Sequence, residues 1–341
     1  MAAPRTDWKE HILPDEAERF ERLATELRDA PKRAPGDRLR ALHAKGVAGV
    51  RAELTVRDGV PAPARVGIFA SPASYRAYVR FSNGAAVPQP DSKPDVRGLA
   101  VKVLGVPGAK IIPGLETATT QDFLTIRDPY APFLSPDEFV WVAVAAQNPL
   151  TFLPRALFHL GPARALHLIK QLKSELSLPY PSAAVSTFHS ALAIRFGDYA
   201  ARFSLAAEDP GVPGAPSGTS ATYVHDDLRQ RLLGGPIHYQ FRVQFYVGED
   251  LTPIENTAVE WKASDSPFVP IARLSIPQQD IDSPAGRTLA DFVESLSFDP
   301  WHAPVEFRPL GALMRARNAA YRVSGQRRGA QPEPTGSEWT A

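Results

Sequence analysis

The sequence predicts an α+β fold, an antiparallel β-barrel with helices around it. Short runs of alternating apolar and polar residues recur along the chain between Gly- and Pro-rich turns, which suits a barrel better than a doubly wound parallel sheet. None of these runs is followed by GxGxxG, so the usual nucleotide-binding signal is missing. Of the 341 residues 44% are hydrophobic, enough to build a large core.

Composition removes several functions. The absence of cysteine excludes disulfides, Cys-ligated iron–sulfur clusters, thiolate ligation of iron and cysteine nucleophiles. With 38 Lys+Arg against 37 Asp+Glu the formal net charge is +1, and no nucleic-acid partner is expected. Residues 1–13 are polar and carry no apolar stretch of signal-peptide type. The longest apolar run, 139–146, is too short to span a bilayer, so the expectation is a soluble, cytoplasmic protein without a membrane span.

The elements follow in order. Residues 14–30 place Phe20, Leu23 and Leu27 at helical spacing, and Pro31 and Pro35 end that helix. Residues 42–57 read as a strand, closed by DGVPAP, and 64–69, 78–82 and 98–104 as three more. Residues 136–146 and 153–176 are helical, with Pro162 kinking or restarting the second. Strands return at 191–205 and 237–247, the latter alternating cleanly. Residues 284–296 form a late helix, capped by Ser283 with Pro284 in its first turn. The tail after Arg328, rich in Gly and Pro, is expected to fray. The organisation expected is an N-terminal helical arm (1–34), one large domain (35–328) and a flexible tail (329–341).

Three short motifs carry the chemistry. RALHAKG places His43 at the start of a strand, where an imidazole can move a proton near neutral pH; Gly46 and Gly49 would leave room for a flat ligand. In YVRFSNG, Ser82 could hold His43 in one tautomer if the two strands are adjacent, and Arg80 could meet a carboxylate. Near the C-terminus Arg317 and Tyr321 lie four residues apart, on one face of a helix. A tyrosinate can ligate haem iron, and a neighbouring Arg favours the phenolate. Taken alone, the first two motifs read as ordinary strand packing and the third as a basic helix with Tyr321 packed against the core.

The order of the pieces, RxxHAKG, VRFSNG, DVRGLAVKV and a C-terminal RxxxY, resembles the catalase superfamily. Weaker resemblance lies in residues 186–205 and 256–280, so that about residues 35–328 are covered. The resemblance implies a catalase-type barrel core without large C-terminal additions, binding haem b. It implies His43 as the distal acid–base and Ser82 as its orienting hydroxyl. Tyr321 would be the iron ligand and Arg317 its charge partner. Arg40, Arg80 and Arg328 would contact the haem propionates, and Phe133 would pack on the ring. Asp95 and Arg97 would support their strand.

One departure stands out. Where catalases carry an Asn pair before their IRD segment, this chain has Thr119 and Thr120, with Gln121 one position away. Without that amide, peroxidase chemistry on hydrogen peroxide or an organic hydroperoxide, with a small organic electron donor, is expected over rapid dismutation. A fatty-acid hydroperoxide isomerase or lyase and a haem carrier without turnover are the alternatives. The N-terminal arm suggests a homodimer.

Overall fold

The structure, a computed structural model, describes residues 3–29, 40–177, 180–209 and 220–340. Nine strands form one antiparallel sheet: β1 (Lys45–Val56), β2 (Ser74–Asn83), β3 (Arg97–Leu104), β4 (Thr120–Ile126), β5 (Thr187–His189), β6 (Ile194–Phe196), β7 (Tyr199–Ala207), β8 (Ile237–Phe245) and β9 (Val269–Ile276). They run in the order β5-β4-β3-β2-β1-β9-β8-β7-β6. Pairing of β5 with both β4 and β7 closes eight of them into a barrel, and β6 hangs on β7. Closure leaves little edge backbone unpaired.

Alternation decides which side chains fill the barrel. Val50, Ala52 and Leu54 of β1 point inward, as do Ala77, Val79 and Phe81 of β2 and Leu99, Val101 and Val103 of β3. The centre is a lattice of rings: Phe241 lies 5.0 Å from Phe123, 5.1 Å from Phe69 and 5.5 Å from Phe203. Each buried ring contributes about 2 kcal/mol by leaving water. With the interior packed in this way, a flat ligand has to lie against the outer wall.

Residues 64–69 do not form the expected strand. They sit in two 3-10 turns, Ala62–Ala64 and Gly67–Phe69, that turn Phe69 into the barrel. Gly67 has φ +49°, and a Cβ there would stand 2.5 Å from the Phe307 ring, so only glycine lets this plug close. The expected strand 191–205 is broken into β6 and β7 at Gly197, and β4 and β9 carry no alternation strong enough to announce them.

Among the described residues seven helices surround the barrel: α1 (Glu16–Asp29), α2 (Pro136–Ala145), α3 (Pro149–Leu160), α4 (Pro162–Leu176), α5 (Tyr223–Gly234), α6 (Pro284–Ser295) and α7 (Ala312–Arg328). Helix α1 buries Phe20, Leu23, Ala24 and Leu27 against Ala316 and Ala319 of α7, whose small side chains permit close approach. Pro31, Pro35 and the expected boundary at residue 34 lie outside the described residues. Ser283 caps α6 as expected, its hydroxyl accepting from the Gly286 amide at 3.0 Å. Among the described residues no helix is long and apolar enough to cross a membrane.

The tail after α7 is docked rather than frayed. Beyond Gly329 the Gln331 amide donates to the Ser295 carbonyl, and Trp339 lies 5.4 Å from Tyr78 with Arg51 and Arg76 over its ring. Between them the Glu333 carboxylate enters a buried cluster on the outer wall. It meets Lys102 Nζ at 2.6 Å, Thr120 and His302, while Lys102 also pairs with Asp122 at 2.7 Å. Lys102 is fully buried, yet its two carboxylates hold its ammonium charged, with the pKa above the ordinary value despite burial. Lys102→Met is expected to lower unfolding free energy by about 3–5 kcal/mol, because two buried carboxylates lose their cation; urea denaturation measures this directly.

Candidate active site

The site grows on the outer wall where β1 begins, β2 ends and β3 begins. Directly paired residues share a face, so Ser82, Gly98 and Ile126 line up across β2, β3 and β4. His43 stands just before β1. Its amide donates to the Gly84 carbonyl at 2.9 Å, and its φ of +55° is a left-handed conformation rare outside glycine. Such strain persists where the surroundings impose it, often at functional positions. The backbone twist aims the ring at Ser82, whose Oγ is 2.9 Å from Nδ1.

Gly98 makes this possible. A Cβ there would lie 2.7 Å from His43 Cε1 and 2.9 Å from Ser82 Oγ. Gly98→Ala is therefore expected to displace the imidazole. Misplacing a reacting group by about 1 Å can cost up to about a hundredfold in rate, and the displacement itself is measurable as a change in the NMR signals of the His43 ring. Gly46 and Gly49, in contrast, make room for α6. A Cβ at Gly46 would meet the Glu294 carboxylate and one at Gly49 would meet Val293, so the space expected for a flat ligand is occupied by protein.

His43 is partly buried among cations. Burial first, then the charges of Arg80, Arg317 and Arg40, push its pKa down to about 3. It is neutral at physiological pH, and with Nδ1 at Ser82 its Nε2 is the atom left to exchange a proton.

Helix α7 contributes Arg317 and Tyr321. Helix α7 is anchored at its start by Glu255, which accepts from the Ala312 amide at 2.7 Å, and by Trp301, which donates to the Met314 carbonyl at 2.9 Å. Arg317 Nη2 donates to the Tyr321 hydroxyl at 2.8 Å. Arg317 lowers the pKa of His43 and Tyr321 raises that of Arg40, so the two groups lie within electrostatic reach of each other.

Arg40, Arg80 and Arg328 converge beside them. Arg40 and Arg328 both donate to the Leu296 carbonyl, at 2.8 and 2.7 Å, and both reach the Glu294 carbonyl, covering the negative end of α6. The Glu294 carboxylate lies between Arg40 and Arg80, 2.8 Å from Arg80 Nε. Burial, followed by repulsion from Arg80, pulls Arg40 down to about 9 in spite of Glu294. The carboxylate that this cluster holds is that of Glu294. Nothing near RALHAKG or YVRFSNG foretold Glu294, which arrives from a helix more than 200 residues away.

Other expected residues fall elsewhere. Phe133 packs edge-on against Phe139 of α2 at 5.1 Å. Thr120 faces Leu104 at the far end of β4, six positions and about 20 Å from Ile126, and its hydroxyl goes to Glu333. Thr119 is exposed and precedes the strand, and the Gln121 amide turns inward opposite Val103. None of the three stands in for the distal amide, because β4 runs away from His43. Leu124 and Ile126 are the β4 residues on that face. Asp95 and Arg97 do support the loop before β3: Asp95 accepts from Gln89 Nε2 at 2.9 Å, and Arg97 donates to the Asp91 carbonyl at 2.6 Å.

The residue types would suit a haem: a phenol beside an arginine, an oriented neutral imidazole, and arginines that already bind a carboxylate. No family model matches the chain. It is 29% identical over 311 residues to a catalase-related peroxidase of Mycolicibacterium paratuberculosis, over 86% of this chain and 92% of that protein. The chain is thus similar in sequence to a catalase-related peroxidase and similar in fold to catalases. All of it superposes on 69% of a fungal catalase, with TM-score 0.68 and 18% identity. Catalase A of Saccharomyces cerevisiae matches 99% of this catalase-related chain over 70% of its own length, with TM-score 0.67 and 16% identity.

Proposed function

We propose that this catalase-related chain binds haem b between the outer barrel wall and α7 and works as a peroxidase. Its oxidant would be hydrogen peroxide or an organic hydroperoxide, and its reductant a small organic donor. The observation that carries the reading is the presence, within electrostatic reach of each other, of two preset pairs, His43 with Ser82 at 2.9 Å and Tyr321 with Arg317 at 2.8 Å.

Tyr321 would hold the iron from α7, and Arg40, Arg80 and Arg328 the propionates. When bound, haem supplies the ferric iron at which the peroxide O–O bond is cleaved. His43 does the proton work: neutral Nε2 accepts the proton of the incoming peroxide and returns it to the departing oxygen. Ser82 keeps the ring aimed during both transfers. Ile126 and Leu124 make the β4 side of this face aliphatic, which supports donor oxidation over dismutation, since no amide from β4 is there to orient a second peroxide. Docking of α1 on α7 of the same chain leaves the proposed homodimer to be tested by mass in solution.

The test is reconstitution of the purified chain with haem, followed by peroxide addition with an oxygen electrode and a chromogenic phenol. Phenol oxidation faster than oxygen release is the expected result. Dominant oxygen release would make it a catalase, and failure to take up haem stoichiometrically would overturn the reading.

A further inference from the structure

Helices α3 and α4 expose apolar side chains that the barrel and the site do not use. Leu150 is 91% and Phe158 94% exposed, with Leu153 and Leu166 about half exposed. On α3, Leu150, Leu153, Pro154 and Phe158 share one sector at three- and four-residue spacing, opposite buried Ala156. On α4, Leu166 shares its exposed sector with Lys170 and Lys173, opposite buried Ala165 and Leu168. The helices meet at Gly161, with φ +76°, so Phe158 and Leu166 flank one turn.

Charge on this hairpin is mostly of one sign: its one acidic residue is Glu175, near the end of α4, which is taken up by Tyr130. From Phe139 to Ser174 the sequence has no Asp or Glu, but it contains Arg155, Arg164, Lys170 and Lys173. Arg164 is taken up by Glu138 and the Pro132 carbonyl. Arg155, beside the Trp141 ring, and the two lysines are exposed. In a chain whose net charge is only +1 this is a local concentration. A second copy of the same face would bring like charges together. An apolar stripe fringed by cations fits an anionic bilayer surface, where the apolar residues enter the acyl boundary and the cations meet phosphates.

We propose that the α3–α4 hairpin docks the protein on anionic phospholipid. Phe158, Leu150, Leu153 and Leu166 enter the interface, and Lys170, Lys173 and Arg155 contact headgroups. The docking lies outside the peroxidase reading and needs neither haem nor turnover.

Flotation of the full chain on vesicles tests it. The protein is expected to float with mixed phosphatidylglycerol–phosphatidylcholine vesicles, to stay behind with phosphatidylcholine alone, and to be released by high salt. Combined Lys170→Gln and Lys173→Gln should weaken partitioning roughly thirtyfold. Phe158→Ser should also weaken it, with the melting temperature unchanged because the ring is exposed. No flotation, or equal flotation on both vesicle types, overturns the proposal. Self-association in sedimentation that Phe158→Ser abolishes, without vesicle binding, also overturns it and makes the face a contact between copies.

Discussion

Tyr321→Phe is expected to abolish the tyrosinate-type high-spin ferric spectrum of the haem-loaded chain while leaving the fold intact. The hydroxyl makes one strong contact, the 2.8 Å bond from Arg317, and the ring stays on α7. Losing that bond costs the protein roughly 0.5–1.5 kcal/mol, small beside the loss of an iron ligand. Arg317→Gln separates ligand from support. It keeps Tyr321 but removes the charge beside the phenol oxygen, and changes of this kind weaken metal affinity roughly 10- to 100-fold. The order expected in haem titrations is therefore wild type, then Arg317→Gln, then Tyr321→Phe. A spectrum unchanged in Tyr321→Phe would mean that another side chain reaches the iron, and the two-pair geometry would lose its meaning.

How far these residues could be read from sequence follows from how locally each is determined. His43, Ser82, Arg317 and Tyr321 were legible because each sits in a short motif, and strand pairing or helical spacing alone brings partners together. Ser82 faces Gly46 across β1 and β2, and Arg317 and Tyr321 need only one turn of helix. Glu294 was not legible. It reaches Arg40 and Arg80 through tertiary packing of α6 onto Gly46 and Gly49, the glycines that had suggested space for a ligand. The direction of β4 was hidden too. A gap-free count placed Thr119 and Thr120 at the distal side, but the register pairing Ile126 with Gly98 sends Thr120 to the other end of the barrel. The tail misled for a related reason. Its Gly and Pro content suggests fraying, but Glu333 and Trp339 find a buried lysine and a tyrosine presented by strands far away in sequence.

His43→Gln should leave haem uptake and the Tyr321 signature in place and slow peroxide activation by about 10²- to 10⁴-fold, the usual worth of a positioned acid–base. Ser82→Ala should cost less, since the imidazole remains and only its aim is loosened. The pH profile makes the test sharper. An ordinary histidine would impose an acid limb near 6.5, but the His43 pKa lies at about 3, held down by burial and by Arg80, Arg317 and Arg40. The wild-type second-order rate with peroxide should therefore stay level from pH 8 to below about 5. The same shift carries a stability consequence whose sign is fixed. Above about 6.5 the imidazole is neutral in both folded and unfolded chains, and its contribution is fully present. As pH falls from there toward 3, the unfolded chain binds a proton that the folded one refuses, and stability is lost. His43→Gln removes that slope, so the variant should resist acid better than wild type while reacting far more slowly with peroxide. That pairing, stability gained in acid and rate lost at every pH, is what a histidine held neutral for proton transfer would produce; a histidine kept only for packing would give the first effect without the second.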